Sequence, residues 1–190
     1  GMIGRERRLG ESVRGVYPVR LEETLTVDGQ TVTIRPTKPV DERRIQEHFY
    51  QLDKSDVLSR FFHEKTRFAR TDLQAMSQID YVRNLTLIAV VGEFGFDRVV
   101  AVGEYYLQPA KNMAEVAFSV SKDFQGRGMG RLLMGKLAKA ARENGIAGLY
   151  AVTSPGNRAM INLFKTLPYK IQSIMEDDLL LSCRFDEPAP

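Results

Sequence analysis

The sequence is poor in the residues that build disulfides, metal centres and histidine-dependent sites. Its 190 residues include one cysteine, Cys183, and two histidines, His48 and His63. A single cysteine excludes an internal disulfide, a cysteine-based zinc site and a CxxC redox motif. The histidines fall on different predicted segments, so we predict no metal site. A Ser–His–Asp hydrolase is expected only if one of these two histidines serves as its base. We expect both to be half-exposed and Cys183 to be an inert strand residue.

Long apolar runs are also missing. One of the longest covers residues 85–91 and contains a threonine, which is too short to cross a bilayer. The N-terminus has no apolar stretch after its charges, so no secretory signal is expected. Together with the single cysteine, these features favour a cytoplasmic protein with no membrane partner.

The charge is modestly basic and concentrated at the N-terminus. The formal net charge is +3, and the segment 1–16 is rich in arginine. Because neither interleaved aromatics nor a nucleic-acid motif accompanies it, we interpret 1–16 as a solvated basic arm and expect no nucleic-acid partner. Residues 17–185 have the length and the 43% hydrophobic content of one folded domain, and we expect 186–190 to be a disordered tail.

Hydrophobic periodicity predicts a mixed α/β domain with a mostly antiparallel central sheet flanked by helices. Asp28 and Gly29 mark a hairpin turn, and Asp41 caps a helix. The predicted strands are 17–26, 30–35, 85–92, 98–107, 113–120, 147–153, 169–175 and 178–185. One predicted helix follows Asp41, and another begins at Thr71. The other predicted helices cover about 58–62, 128–143 and 157–167.

The segment between the strand at 113–120 and the helix at 128–143 carries the strongest chemical signal. Gly126, Gly128 and Gly130 alternate there, flanked by Arg127 and Arg131. Glycines let the backbone approach a ligand, and the first amides of a helix have no helical partner. With the positive end of the helix dipole, these amides predict a phosphate or pyrophosphate site. A glycine-rich turn without a ligand is the alternative.

Two nucleotide motifs fit this segment poorly. A dinucleotide fingerprint needs a third glycine at Arg131 and an acidic residue at the end of the next strand, and the strand 149–153 supplies none. A phosphate-binding P-loop needs Gly-Lys-Ser/Thr, which is absent.

At these residues the sequence resembles the GNAT superfamily of acyl-CoA-dependent N-acyltransferases, whose pyrophosphate loop reads Arg/Gln-x-x-Gly-x-Gly/Ala. Gln125, Gly128 and Gly130 match that pattern. The resemblance extends from about Thr33 to Phe164. Within the superfamily it is most similar to bacterial protein lysine acetyltransferases that act on acyl-CoA synthetases. The smaller matches that support this are residues 59–62, 78–81 and 114–118.

The resemblance implies a GNAT-like sheet that splays between the strands at 113–120 and 147–153. It also implies acetyl-CoA as cosubstrate, with its pantetheine arm on the backbone of the first strand and its pyrophosphate on the loop. The expected cofactor-binding residues are Phe118, Ser119, Val120, Gln125, Gly126, Arg127, Gly128, Met129, Gly130, Arg131, Asn157 and Phe164.

A carboxylate is needed because a lysine must lose a proton before it attacks a thioester. With a pKa of about 10.4, deprotonation at pH 7 costs about 4.6 kcal/mol. Glu115 is the candidate base, because it shares its strand face with the small residues Ala117 and Ser119, and the family match points to the same position. A solvent-facing glutamate is the alternative, and Glu104 and Glu93 are rival bases.

The residue that would protonate the leaving thiolate is not evident. Many members of the superfamily use a tyrosine in the last helix, where this sequence has Phe164. Either the thiolate leaves without an acid or another group helps, with Tyr105 and Tyr106 as candidates. The sequence thus predicts an N-acetyltransferase acting on a protein lysine, for example in an acyl-CoA synthetase. The alternatives are a small-molecule amine acceptor and a non-catalytic acyl-CoA sensor, with a nucleotide-dependent oxidoreductase as a distant third.

Overall fold

The structure is a computed structural model that describes residues 16–53, 80–92 and 97–190. Most of the basic arm, the helices predicted at 58–62 and from Thr71, and the residues His63 and Glu93 lie outside these ranges. The strands are β1 (Glu23–Val27), β2 (Gln30–Pro36), β3 (Asn84–Val91), β4 (Arg98–Gln108), β5 (Met113–Val120), β6 (Gly148–Thr153), β7 (Tyr169–Met175) and β8 (Leu179–Pro188). The α-helices are α1 (Glu42–Asp53), α2 (Met129–Glu143) and α3 (Arg158–Lys165).

The strands form one eight-stranded sheet in the order β1-β2-β3-β4-β5-β6-β8-β7. Neighbouring strands are antiparallel except β5 and β6, which are parallel. The hairpin turn predicted between β1 and β2 is confirmed, because Asp28 and Gly29 both have positive φ, at 51° and 81°. The described residues therefore confirm the mixed, mostly antiparallel fold.

Helix α1 covers one face of the sheet through its apolar stripe. Ile45, Phe49 and Leu52 recur at helical spacing, and all three are buried. They pack in a cluster with Val102 of β4 and residues of β3. The chain enters this helix through Asp41, which accepts hydrogen bonds from Arg35 and from the Lys38 amide. These contacts fix α1 over the centre of the sheet.

Helices α2 and α3 contribute to the larger core on the opposite face. The apolar face of α2, including Leu133, Met134 and Leu137, is fully buried there. Alternate residues of β5, such as Val116 and Phe118, meet this core, as strand periodicity predicts. The glycine-rich segment therefore lies where β5 ends and α2 begins.

The C-terminal end is more ordered than the sequence indicated. Strand β8 continues to Pro188, past the predicted domain end at residue 185, and the Ala189 amide donates to the Pro168 carbonyl at 3.2 Å. The rings of Tyr169 and Phe185 also pack with centroids 5.2 Å apart. The structure departs from the expected disordered tail at residues 186–189, because 186–188 belong to β8, Pro188 stands opposite Tyr169 of β7, and Ala189 bonds Pro168.

Within the described ranges, none of the helices combines the length and apolar character needed to span a membrane.

Candidate active site

The sheet opens between β5 and β6. The two strands are in register only from Met113 opposite Gly148 to Glu115 opposite Tyr150, and the pairing stops there. On the other side, β5 continues its ladder with β4, where the Ser121 amide donates to the Val100 carbonyl. In an antiparallel ladder, the backbone N–H and C=O groups of alternate residues bond to the neighbouring strand. Those of the residues in between point away from that strand. The backbone polar groups of Val116 and Phe118 consequently face the gap.

The chain next forms a turn whose geometry requires glycine at two positions. Gly126 has φ +76° and Gly128 has φ +84°, a region that residues with a Cβ rarely adopt. Gly128 is the N-cap of α2, and the first helical bond there runs from the Leu132 amide to its carbonyl at 3.0 Å. The amides of residues 129–131 therefore precede the helical ladder and point out of the N-terminus of α2.

Gly130 serves a different need from the other two glycines. It lies inside α2 with helical geometry, and a Cβ there would come within 3.0 Å of Cδ2 of Leu163 on α3. The absent side chain lets the two helices approach each other. This packing role was not part of the prediction, which assigned all three glycines to the phosphate.

A cleft of about 520 Å³ lies between this turn and the start of α3. Eight of the twelve predicted cofactor-binding residues line it, namely Val120, Gln125, Gly126, Gly128, Met129, Gly130, Arg131 and Asn157. The other lining residues are Phe124, Gly156, Arg158, Ala159, Asn162, Leu163 and Thr166. On the α3 side the sequence predicted only Asn157 and Phe164, although residues 157–160 matched the start of the family's last helix, and the other α3 residues of the cleft were missed.

Four predicted residues do not line the cleft. The Phe118 side chain is buried in the core, although its backbone faces the gap, and Ser119 points to the face covered by α1. The Arg127 guanidinium pairs with Asp28 at 3.3 Å and stacks over the ring of Phe124. Phe164 is fully buried in the core, so its side chain offers no surface to a ligand.

Asn157 lines the cleft but uses its side chain to cap α3. Its Oδ1 accepts from the Met160 amide at 3.1 Å, and its Nδ2 donates to Thr153 Oγ1 at 2.8 Å. Both contacts are buried. The side chain therefore joins the end of β6 to α3 and fixes the far wall of the cleft.

Glu115 lies at the closed end of the gap. It is opposite Tyr106 of β4 and Tyr150 of β6, and the Tyr150 hydroxyl hydrogen-bonds its carboxylate. Burial, the charge of Glu115 and this hydrogen bond raise the pKa of Tyr150 to about 12, so its hydroxyl stays protonated at neutral pH. Tyr150 was not recognised in the sequence, because only the strand register brings it to Glu115.

The rival base Glu104 lies on the same sheet face but deeper. It is 4% exposed, stands opposite Ala117, and accepts a hydrogen bond from Thr86 Oγ1 at 3.0 Å. Tyr105, one candidate acid, points to the other face, where its hydroxyl donates to the Val82 carbonyl and accepts from Asn144. Its burial raises its pKa to about 12, and it lies in the main core rather than at the gap.

His48 corrects the expectation of a half-exposed histidine. It is 3% exposed, and its two ring nitrogens contact the hydroxyls of Ser119 and Ser121. Its position on α1 turns it inward, onto the end of β5. Cys183 is buried and reduced, and burial raises the pKa of its thiol, which agrees with an inert strand residue. Within the described ranges, no group of three His, Cys, Asp or Glu side chains could hold a metal ion.

The comparison with protein families decides the classification. The model of the Acetyltransferase (GNAT) family matches residues 48–167, which is more than half of the chain. The chain belongs to this family. GNAT membership, together with relatives that are themselves named acetyltransferases, makes it an acetyl-CoA-dependent acyltransferase.

Individual relatives agree with the GNAT assignment. The chain is 31% identical over 150 residues to Acetyltransferase PA5475 of Pseudomonas aeruginosa, covering 79% of this chain and 81% of that protein. It is 30% identical over 141 residues to Acetyltransferase Pat of Mycolicibacterium smegmatis, covering 73% of this chain but 41% of Pat. The GNAT domain of S. lividans PAT superposes with a TM-score of 0.69 at 27% identity, covering 89% of this chain and 99% of that one.

Proposed function

We propose that this protein transfers the acetyl group of acetyl-CoA to a lysine side chain of another protein, with Glu115 as the general base. The observation that carries the proposal is the opening of the sheet beside Glu115. The ladder between β5 and β6 ends at that residue, and the backbone groups beyond it face a gap. An extended ligand can take the place of the missing strand there.

The described residues fit the shape and charge of acetyl-CoA. The pantetheine arm carries two amides, which can bond the backbone of Val116 and Phe118 in the gap as an added strand would. The gap leads to the turn at 126–131, whose amides and α2 dipole suit a diphosphate. The cleft of about 520 Å³ continues past this turn to α3, with room for the rest of the cosubstrate. Arg131 and Arg158 line it and add positive charge.

Glu115 is placed to remove the proton of the amine. Acetyl-CoA supplies a thioester whose carbonyl carbon a neutral amine attacks as the thiolate leaves. The carboxylate lies at the end of the gap where the reactive end of the arm would point. Ala117, two residues along the same face, is small enough to leave room for the incoming amine. A carboxylate in this position typically contributes about 10²–10⁴-fold to the rate.

The sheet face around Glu115 suits a protein acceptor. Beyond Tyr150, the residues Val152, Leu180 and Ile174 form a row across β6, β8 and β7, and the first and last are 48% and 49% exposed. The turn of the β7–β8 hairpin lies next to Ile174 in the chain. Its residues 176–178 are exposed and consist of one glutamate and two aspartates. An apolar row beside acidic groups complements a lysine-bearing segment. The similarity to the protein named Pat points the same way.

Mass spectrometry of acetylated products tests this proposal. The purified protein is incubated with acetyl-CoA and, separately, with a purified acyl-CoA synthetase, lysine peptides and a panel of small amines. We expect Nε-acetyl-lysine on protein or peptide acceptors, at a rate that Glu115→Gln lowers. Turnover of the small amines alone would favour the small-molecule alternative. Binding of acetyl-CoA without any turnover would favour a sensor.

A further inference from the structure

His48 connects α1 to the end of β5 through both of its ring nitrogens. Nε2 lies 2.8 Å from Ser119 Oγ, and Nδ1 lies 3.2 Å from Ser121 Oγ. Both ring nitrogens therefore hydrogen-bond a serine hydroxyl, and the tautomer of the ring sets which partner donates in each bond. The side chain is 3% exposed, which makes this contact an internal one.

The two serines flank the residue at which β5 ends and the turn begins. Ser119 lies between Phe118 and Val120, and its side chain points to α1 while the backbone of its neighbours faces the gap. The Val120 carbonyl accepts a hydrogen bond from Gln125 Nε2 at 3.1 Å, and the Ser121 amide donates to Val100. The edge of β5 beside the gap is thus held from the α1 side by His48 and from the turn by Gln125.

We propose that His48 is a positioning residue for acetyl-CoA, setting the backbone of 118–120 at the distance that an added strand requires. The inference rests on the proposed cofactor site in the gap. His48 is not among the residues that line the cleft, and it reaches the end of β5 through its contacts with Ser119 and Ser121. A histidine is suited to the task because its rigid ring bonds two hydroxyls on either side of one residue.

Conservative variants separate the two contacts. In His48→Gln the amide nitrogen can replace Nε2 and keep Ser119, whereas in His48→Leu both serines lose the ring. We expect His48→Leu to raise the Kd and the KM for acetyl-CoA about tenfold, because a buried hydroxyl loses its partner and the strand end shifts. His48→Gln is expected to lie between this variant and the wild type. The kcat at saturating acetyl-CoA stays within about twofold, because Glu115 lies about 13 Å along the strand from Ser119.

Ile45→Val is the matched control. Ile45 is buried one turn away on the same helix, and its truncation loosens the packing of α1 without reaching the serines. We expect it to leave the Kd for acetyl-CoA unchanged. Ser121→Ala provides a second test should His48→Leu fold poorly, because it removes one contact from a partly exposed residue, and we expect about a threefold rise in Kd.

Calorimetric titration with acetyl-CoA distinguishes the possible failures. A wild-type protein that does not bind acetyl-CoA would overturn the proposed function together with this inference. A wild type that binds, with an unchanged Kd in His48→Leu and Ser121→Ala, would overturn the role of His48 alone. An equal loss of affinity in Ile45→Val would also overturn it, because the effect would then come from the packing of α1.

Discussion

Glu115 and Tyr150 stand opposite each other at the last paired position of β5 and β6, and the tyrosine hydroxyl hydrogen-bonds the carboxylate. The contact closes the gap at one end and holds the proposed base at the point where the strands separate. Because the pKa of Tyr150 is raised to about 12, the hydroxyl remains a hydrogen-bond donor throughout the range in which acetyl transfer is assayed.

Tyr150→Phe tests this contact. Removing the hydroxyl takes from Glu115 a hydrogen bond that favours its charged form. We therefore expect the acidic limb of the pH profile of kcat/KM to move to higher pH. At neutral pH, where the carboxylate stays charged, we expect the rate to fall only about threefold, because Glu115 is less firmly oriented. The Kd for acetyl-CoA should stay the same. A pH profile that superposes on the wild type would show that Tyr150 does not assist the base.

Glu115→Gln tests the base itself. The amide keeps the size of the side chain but cannot accept a proton, so kcat should fall about 10²–10⁴-fold at neutral pH. Acetyl-CoA binding measured by calorimetry should be unaffected. Glu104→Gln is the informative comparison, because Glu104 lies on the same face but is hydrogen-bonded to Thr86 and buried. If Glu104→Gln abolished turnover and Glu115→Gln did not, the two roles would be reversed.

Two glycine-to-alanine changes, one at the N-cap of α2 and one in its middle, test the turn. Gly128→Ala places a Cβ at φ +84°, which costs about 1–2 kcal/mol, and it crowds the amides at the start of α2. We expect its affinity for acetyl-CoA to fall about tenfold. Gly135→Ala is the control, because Gly135 is exposed in the middle of α2 with nothing within 4 Å of the added Cβ. That change should raise stability by about 0.5–1 kcal/mol and leave affinity unchanged.

The ion pair at the start of α1 predicts how stability depends on pH. Burial alone would raise the pKa of Asp41, but hydrogen bonds from Arg35 and the Lys38 amide outweigh it and hold the pKa below its usual value. A carboxyl group whose pKa is lowered on folding stabilises the fold at pH values above its unfolded-state pKa of about 3.9. This contribution is lost as the pH falls through the pKa of the folded state.

Asp41→Asn should remove that dependence. It leaves Arg35 partly buried without its carboxylate, and we expect a loss of about 3 kcal/mol in the free energy of unfolding at pH 7. Below about pH 4 the difference in the free energy of unfolding between variant and wild type should become smaller. Denaturant unfolding at pH 7 and pH 3 measures both effects, with the exposed Asp28→Asn as control. An equal difference at the two pH values would contradict this account.

Local features of the fold were predictable because neighbouring residues determine them. The hairpin at Asp28 and Gly29 needs two positive φ angles that this dipeptide readily adopts. The turn at Gly126 and Gly128 was likewise evident from its spacing. The amphipathic stripe of α1 predicted its buried face directly.

Features that join distant segments could not be predicted in this way. His48 and Ser119 are 71 positions apart, so the tendency of histidine to be half-exposed gave the wrong answer. Glu115 meets Tyr150 only through the register of a short parallel ladder. Gly130 was assigned only to a ligand. Its contact with Leu163 depends on how α2 and α3 cross, which the residues around Gly130 do not determine.

A crystal structure of the complex with coenzyme A tests the central claim most directly. The account predicts pantetheine amides bonded to the backbone of Val116 and Phe118, and diphosphate oxygens bonded to the amides of residues 126–131. Coenzyme A bound elsewhere, with those amides occupied by protein groups and the gap closed, would contradict it.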